Sequence, residues 1–181
     1  MQEFLGPNSI CFGQNGTFFF TDSGPFGETG LHNPKGSVYC VTGGSAQMML
    51  KPIILDSLAY PTGLTLSPNG EVLYVCEMMT NRLLRFVKQA AAWHCSVFCQ
   101  FAGRIGPAAV CSARDGLLYV GFKGIRAGGD TGCVKVVDQA GKVVDEIIID
   151  GAASITGVCI DSSESYLYAT DETGNVHRIA L

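Results

Sequence analysis

The sequence predicts an all-β propeller built of four-stranded antiparallel blades. The first observation is a unit that occurs four times in the 181 residues, with equivalent positions at Asn8, Thr62, Ala108 and Thr156, which are 54, 46 and 48 residues apart. The second is the pattern of short strands and turns inside each unit. A period near 45–50 residues with four strands per unit is typical of propeller blades.

Each unit begins with two short strands joined by a polar turn. The segments are GPNSICFGQNGTFFFTDS from Gly6, YPTGLTLSPNGEVLYVCE from Tyr60, GPAAVCSARDGLLYVGF from Gly106 and SITGVCIDSSESYLYATD from Ser154. The turns carry Asn-Gly in the first two units, Asp-Gly in the third and Ser-Glu in the fourth. Because Asn, Asp and Gly tolerate a positive φ, the first three turns predict tight hairpins.

A third, alternating strand follows in every unit, and a fourth follows in three of them. The third strands are GSVYCV, RLLRFV, GCVKVV and GNVHRI, and the fourth strands are QMMLKPIIL, HCSVFCQF and KVVDEIII. Residues 89–93 have a briefly helical pattern and are predicted to link the third and fourth strands of the second unit.

The repeats predict one domain over residues 1–181. The last unit stops after its third strand, and MQEFL stands where the other units end their fourth strand. Residues 1–5 are therefore predicted to be the strand that completes the last blade. These positions of the chain ends within the repeat fit a closed ring of four blades, and they equally fit part of a six-bladed ring. The units lie near residues 6–55, 60–101, 106–149 and 154–181.

Composition limits the classes of partner. Hydrophobic residues make up 47% of the chain and charged residues 15%, and the net charge is −4. The chain has no basic block, so we expect no nucleic acid as a partner. No apolar run approaches the roughly 18 residues of a membrane span, and the first residues lack the pattern of a secretory signal, so we expect no membrane partner.

The cysteines indicate the cellular compartment. Six of the eight lie in short apolar runs, where a free cysteine behaves as a small buried hydrophobe. We predict reduced core thiols and a cytoplasmic protein, with a disulfide-bonded secreted domain as the alternative. The absence of a CxxC pair argues against a structural zinc site. A homo-oligomer remains open. The six cysteines in apolar runs are Cys11, Cys40, Cys76, Cys111, Cys133 and Cys159.

These segments resemble the six-bladed propeller superfamily that contains gluconolactonases, regucalcin (senescence marker protein) and the strictosidine synthase-like proteins. GPNSICFGQNGTFFFTDSGPFG is similar to the family's RPND segment and its following FTDP strand, and YPTGLTLSPNGEVLYVCE to its PNGLAFSPDGKTLYVAD. GPAAVCSARDGLLYVGF is similar to PDGIKVDADGNLWVA. The resemblance covers about four blades and implies a site at one mouth of the central channel, where loops meet the starts of the innermost strands.

The resemblance also implies a divalent cation, Ca²⁺, Mg²⁺ or Zn²⁺, held by a Glu, an Asn and an Asp. The PNG asparagine matches Thr62, the PDG aspartate matches Ala108, the RPND arginine matches Gly6, and the first-blade Glu has no counterpart. Asn8 matches a further family Asn that holds the substrate. Asn8 and Thr62 are therefore the remaining candidates for both metal and substrate binding, and we expect a degraded metal site.

The strictosidine synthase-like branch is an alternative comparison. Those synthases use a Glu, without metal, near the innermost strand of a late blade. Residues 154–159 match that stretch and contain no acidic residue.

Other candidates come from strand ends and loops. Asp22, Glu77 and Asp171 end the second strands of three units, so they could bind a cation together or accept hydrogen bonds from the following turns. Residues 23–36 form a long loop that carries His32, a candidate general base and substrate contact. The glycine-rich residues 123–132 could cradle an anion, although a simple connecting loop is the alternative.

Two functions follow from the resemblance and from these residues. The first is a gluconolactonase-like or regucalcin-like propeller that hydrolyses a lactone or ester of a small organic molecule at the channel mouth, with Asn8 as the best contact. The second is a non-catalytic binding or interaction propeller whose metal site has been lost.

Overall fold

The computed structural model describes residues 3–44, 47–103, 106–123 and 132–181. The described residues form four antiparallel sheets that follow one another in sequence order. This architecture confirms the predicted all-β propeller, and the chain forms a partial propeller of four blades.

In each blade the strands pair in the order in which they occur in the sequence. Blades 1 and 2 consist of β1 (Pro7–Phe12), β2 (Phe18–Asp22), β3 (Gly36–Gly44), β4 (Gln47–Leu58), β5 (Pro61–Leu66), β6 (Val72–Glu77), β7 (Arg82–Gln89) and β8 (Ala92–Gln100). Blades 3 and 4 consist of β9 (Pro107–Ser112), β10 (Leu118–Phe122), β11 (Gly132–Val137), β12 (Val143–Ile149), β13 (Ile155–Ile160), β14 (Tyr166–Asp171) and β15 (Val176–Ala180). Two single-turn 3-10 helices lie at Gln14–Gly16 and Met78–Thr80.

The turn between the first and second strand of each blade has a residue with positive φ. In the first three blades this residue is Gly16, Gly70 or Gly116, with φ between 72° and 87°. The predicted hairpins are therefore confirmed at these turns. In blade 4 the residue is Glu164, at a φ of 56°. A left-handed conformation at a residue with a Cβ is strained by roughly 1–2 kcal/mol.

The core lies between neighbouring blades, where the apolar side chains of facing sheets pack together. Phe19 and Val38 of blade 1 pack in one cluster with Val75 and Phe86 of blade 2. Similar clusters lie between blades 2 and 3 and between blades 3 and 4. Each blade is therefore stabilised mainly by the blades beside it.

The innermost strands β1, β5, β9 and β13 pack in that order around the propeller axis. The hydroxyl of Thr21 donates to the carbonyl oxygen of Thr62 at 2.7 Å. The hydroxyl of Thr62 in turn donates to the carbonyl oxygen of Pro107 at 3.1 Å. These bonds join blade 1 to blade 2 and blade 2 to blade 3. A Cβ at Gly63 would lie 2.6 Å from the Cα of Ala109, so the two strands approach closely only because residue 63 is glycine.

The N-terminal segment differs from the sequence prediction. Residues 3–5 lie in no strand, and the described part of blade 4 has three strands. The backbone N–H groups of Leu5 and Gly6 instead donate to the Asp22 carboxylate, at 3.0 and 2.5 Å, and this holds the segment in blade 1. Residues 3–5 therefore give no support to a strand that completes blade 4, and residues 1 and 2 lie outside the described residues.

Two further expectations need correction. Trp93 lies within β8, so the link between β7 and β8 is only residues 90–91. The eight cysteines carry free thiols, but Cys159 is exposed rather than in the core, because its side chain lies beside Tyr168 on the face of blade 4 that points away from blade 3. Among the described residues, no helix is long and apolar enough to cross a bilayer.

We predict that Gly63→Val destabilises the fold. The new side chain would overlap the backbone of β9, which cannot move without disturbing blade 3, and overpacking of this kind costs about 1–3 kcal/mol. Chemical denaturation monitored by circular dichroism measures the change. Gly30→Ala is the control, because a Cβ at Gly30 meets nothing within 4 Å. Equal stability of the two variants would contradict the close packing of β5 on β9.

Candidate functional site

A central cavity of about 260 Å³ lies between the four innermost strands, near the ends where these strands start. Its polar side chains are Asn8, Ser9 and Thr156, and the other lining residues are Gly, Ala, Ile, Leu and Val. The loops that follow the second strands reach the same end, because the second strands run antiparallel to the innermost ones. The cavity therefore lies at the end of the strands where the resemblance implies a site.

Asn8 and Thr156 are the two most informative side chains of the cavity. Asn8 is exposed in β1, at the edge of the arc. Thr156 in β13 donates its hydroxyl to the carbonyl oxygen of Thr170 at 3.2 Å and lies 3.0 Å from the Thr170 hydroxyl. Sequence reasoning missed Thr156 as a site residue. Its equivalence to Asn8 in the repeat was the signal that could have identified it.

Thr62 occupies the equivalent position in blade 2 but does not line the cavity. Its side chain is buried, and its hydroxyl is used in the bond to the Pro107 carbonyl oxygen. This bond joins blades 2 and 3, so the structure gives Thr62 a role between blades and does not bring it together with Asn8 at a ligand site.

His32 lies in the long loop after β2, and its side chain is exposed. The loop is anchored at the cavity end by the Ser23 hydroxyl, which donates to the Pro61 carbonyl oxygen at 2.5 Å. The ring of Phe26 also contacts the ring of Tyr60 edge to face at 5.5 Å. The loop thus stands beside the mouth without placing His32 in the cavity. Residues 124–131 of the glycine-rich segment lie outside the described residues.

Asp22 and Glu77 are buried at the ends of β2 and β6 and hold the backbone that enters the innermost strand of their own blade. Asp22 binds the Leu5 and Gly6 amides, and Glu77 accepts the equivalent amide of Ala59 at 2.7 Å. Glu77 also accepts the Thr80 hydroxyl at 2.7 Å and forms an ion pair with Arg82. Both carboxylates therefore accept hydrogen bonds, as one of the two sequence interpretations predicts. For Asp22 the donors lie before β1, whereas that interpretation placed them in the turn after β2.

Asp171 has the same position in blade 4 and different partners. It accepts hydrogen bonds from the amide and hydroxyl of Thr173, at 2.9 and 2.7 Å, and from the Asn175 amide at 3.0 Å. The Nε2 atom of His177 lies 2.9 Å from its other oxygen. The hydrogen bond with His177, with those from Thr173 and Asn175, holds the pKa of the Asp171 carboxyl well below its usual range.

The divalent cation that the resemblance implies does not fit the donors present. Within residues 3–44, 47–103, 106–123 and 132–181, no three His, Cys, Asp or Glu side chains cluster in a way that could hold a metal. Of the matching positions, Thr62 is engaged with Pro107 and Ala108 has no donor, which leaves the Asn8 amide. A hard cation takes six or more oxygen ligands, and one side-chain amide is far from that number.

The thiols near the axis do not supply a nucleophile. Burial raises the pKa of Cys11 in β1 and of Cys111 in β9 to about 12. Since the thiolate is the reactive form, both thiols are inert at neutral pH. The described cavity therefore offers neutral hydrogen-bonding groups rather than charges.

The chain is similar to one protein family and to two lactonases. The family described as "SMP-30/Gluconolactonase/LRE-like region" matches residues 1–170. Lactonase drp35 of Staphylococcus haemolyticus is 29% identical over 149 residues, and that of Staphylococcus aureus strain USA300 is 28% identical over 149 residues. Each alignment covers 80% of this chain and 42% of the relative, so the chain spans less than half the length of these relatives.

Solved structures show the same fold. The gluconolactonase XC5397 from Xanthomonas campestris has a TM-score of 0.75 at 22% identity, and the match covers 97% of this chain and 57% of that one. Regucalcin from Agrobacterium tumefaciens has a TM-score of 0.73 at 21% identity, covering 91% and 52%. A chain of a nidogen/laminin complex has a TM-score of 0.72 at 16% identity, and the match covers 96% of this chain and 60% of that one.

We predict that Asp171 makes the fold sensitive to acid. An unfolded aspartate has a pKa of about 3.9, and the folded value is lower. The carboxylate therefore stabilises the fold at all pH values above about 4, and this contribution is lost as the pH falls below 4 toward the folded pKa. Asp171→Asn should lower the melting temperature at pH 7 and reduce the loss of stability between about pH 4 and pH 2.

Melting curves at several pH values, followed by circular dichroism, measure this effect. Asp150→Asn, on an exposed turn, is the control for loss of one negative charge. An Asp171→Asn variant that melts at the wild-type temperature at pH 7 would show that the hydrogen bonds around Asp171 do not stabilise blade 4.

Proposed function

Because the chain belongs to the SMP-30/gluconolactonase/LRE-like family, we propose that it binds a small uncharged organic molecule of the lactone or ester class in the central cavity. One observation carries the proposal. The four innermost strands line a cavity at the mouth, and Asn8 and Thr156 reach it from blades 1 and 4 among otherwise small or apolar residues.

The lining favours a neutral ligand. A charged ligand would lose its hydration in a cavity without an opposite charge, at a cost that neutral hydrogen bonds do not offset. The Asn8 amide can donate to a carbonyl oxygen and accept from a hydroxyl, and the Thr156 hydroxyl can exchange its bond with Thr170 for one with the ligand. A lactone or ester carries the carbonyl group that such donors bind.

Hydrolysis is the second candidate function, and the resemblance to lactonase drp35 at 28–29% identity supports it. Opening a lactone requires that a water oxygen bond to the carbonyl carbon while the ring C–O bond breaks. A base must take the proton of the water and return it to the leaving alkoxide. His32 is the candidate base, and it could act only if the loop after β2 moved toward the cavity.

The cellular location of the protein and its lack of nucleic-acid or membrane partners are also part of the proposal. We propose a cytoplasmic protein that acts without a nucleic acid or membrane partner. The net charge of −4 and the free cysteines support this, since free buried thiols are typical of reducing compartments.

We predict that Asn8→Ala weakens binding of D-glucono-1,5-lactone, the neutral probe. Loss of one hydrogen bond between neutral groups costs about 1 kcal/mol, which corresponds to roughly a fivefold increase in Kd. Ligand-observed NMR titration of freshly dissolved lactone measures the change. Asn69→Ala, at the opposite end of the strands, is the control. Identical affinity of the two variants, or no binding by the wild-type chain, would contradict the proposed site.

We predict that Ca²⁺, Mg²⁺ and Zn²⁺ at millimolar concentration do not specifically raise the melting temperature. A cation that bound the folded chain at 100 times its Kd would add about 2.7 kcal/mol of stability. The donors of the described cavity do not form such a site. Thermal melts with and without each cation, together with lactone hydrolysis assays, test this. A saturable rise in melting temperature with cation-dependent turnover would favour a metal-dependent lactonase instead.

A further inference from the structure

Two aromatic rings stand at the mouth end of β5, outside the core. Phe26, in the loop after β2, is 70% exposed, and its ring contacts the half-buried ring of Tyr60 edge to face at 5.5 Å. Neither residue belongs to the apolar clusters that the described residues form between blades. The two rings lie where blades 1 and 2 meet, since Phe26 follows β2 and Tyr60 precedes β5. We name these two residues the rim pair.

The backbone of the loop holds Phe26 in an ordered turn. The carbonyl oxygen of Pro25 accepts the N–H groups of Glu28 and Thr29, at 3.2 and 3.1 Å, and these bonds close the turn around Phe26. The side chain of Thr29 is buried, so the turn is packed on the rest of the protein. A ring that is exposed on an ordered turn loses little conformational freedom when a ligand contacts it, and this favours binding.

The backbone of Tyr60 is strained. Its φ is 61°, which is an outlier for a bulky aromatic residue. The repeat does not require this conformation, because the equivalent residues Gly6 and Ser154 do not have a positive φ. The N–H of Met78 donates to the carbonyl oxygen of Tyr60 at 3.1 Å and helps to hold it. Strain of this kind occurs preferentially at functional and ligand sites.

The rim pair lies beyond the cavity along the same strand. Tyr60 directly precedes β5, and Gly63 of β5 lines the cavity. The extended chain between these two residues spans about 10 Å. A lactone ring that hydrogen-bonds to Asn8 would stay in the cavity, whereas a chain attached to that ring would extend toward the rim pair.

The chemistry of the rim pair favours a hydrocarbon chain. Two neutral rings present apolar surface to water, and covering apolar surface is favourable in proportion to its area. Ligand sites are commonly lined by aromatic side chains with a few polar groups that fix the orientation of the ligand. Here the Asn8 amide is the polar group and the rim pair is the apolar one. A ligand with a polar ring and an alkyl substituent matches both.

We propose that the rim pair is a subsite for the alkyl substituent of a lactone or ester whose carbonyl group lies in the central cavity. This inference rests on the proposed function, because it requires a lactone or ester in the cavity. A methylene group removed from water tightens binding about fourfold. A butyl chain that the two rings half cover should therefore lower the Kd about tenfold.

The experiment is ligand-observed NMR titration of the full chain with δ-valerolactone and with δ-nonalactone, which carries a butyl chain on the same ring. In the wild-type chain the Kd of δ-nonalactone should be about tenfold lower. Phe26→Ala removes one of the two rings, so it should raise the Kd of δ-nonalactone and reduce this ratio to about threefold or less. Tyr60→Gly should also reduce the ratio. Glycine adopts a φ of 61° without strain, so the fold should be retained, and circular dichroism melts verify this.

Phe12→Ala is the matched control, since Phe12 is 73% exposed but lies at the end of β1 far from the mouth. It should keep the wild-type ratio. Equal Kd values of the two lactones in the wild-type chain would overturn the subsite and leave the proposed function intact. A preference for δ-nonalactone that survives both Phe26→Ala and Tyr60→Gly, or that is lost in Phe12→Ala, also overturns the subsite. Binding of neither lactone would contradict the proposed function itself, and the subsite with it.

Discussion

The structure depends on one constraint, which is that the apolar faces of the blades must be covered by neighbouring blades. Such a face is stable only when another sheet packs on it, because exposed apolar surface is unfavourable in water. The clusters around Phe19 and Phe86, around Val120, and around Ile155 meet this requirement between successive blades.

The polar residues at the strand ends serve the same architecture. Asp22 and Glu77 bind the backbone amides that precede the innermost strands of their blades, and Asp171 orders the hairpin that follows it. A buried carboxylate must have such partners, since an unpaired charge is costly in a low dielectric. These carboxylates are therefore engaged by the fold, and the central cavity keeps the neutral donors Asn8 and Thr156 as its chemistry.

Much of the fold was predictable because its signals are local. The Asn-Gly and Asp-Gly turns require a positive φ that Gly16, Gly70 and Gly116 supply, and alternating strands follow at a regular spacing. The family resemblance rests on the same segments and extends over residues 1–170. The less predictable parts were those that depend on distant partners, such as residues 3–5, which Asp22 holds in blade 1.

The sequence by itself determined the repeat and the four blades, because periodicity and turn chemistry are written in neighbouring residues, and its resemblance to the family implied a site at one mouth of the channel. Only the tertiary structure decided which equivalent residues face the cavity. Asn8 and Thr156 line it, whereas Thr62 turns its hydroxyl to the next blade. The physical reason is that the direction of a side chain at the axis is set by hydrogen bonds and close contacts between blades, which join residues about 45 positions apart.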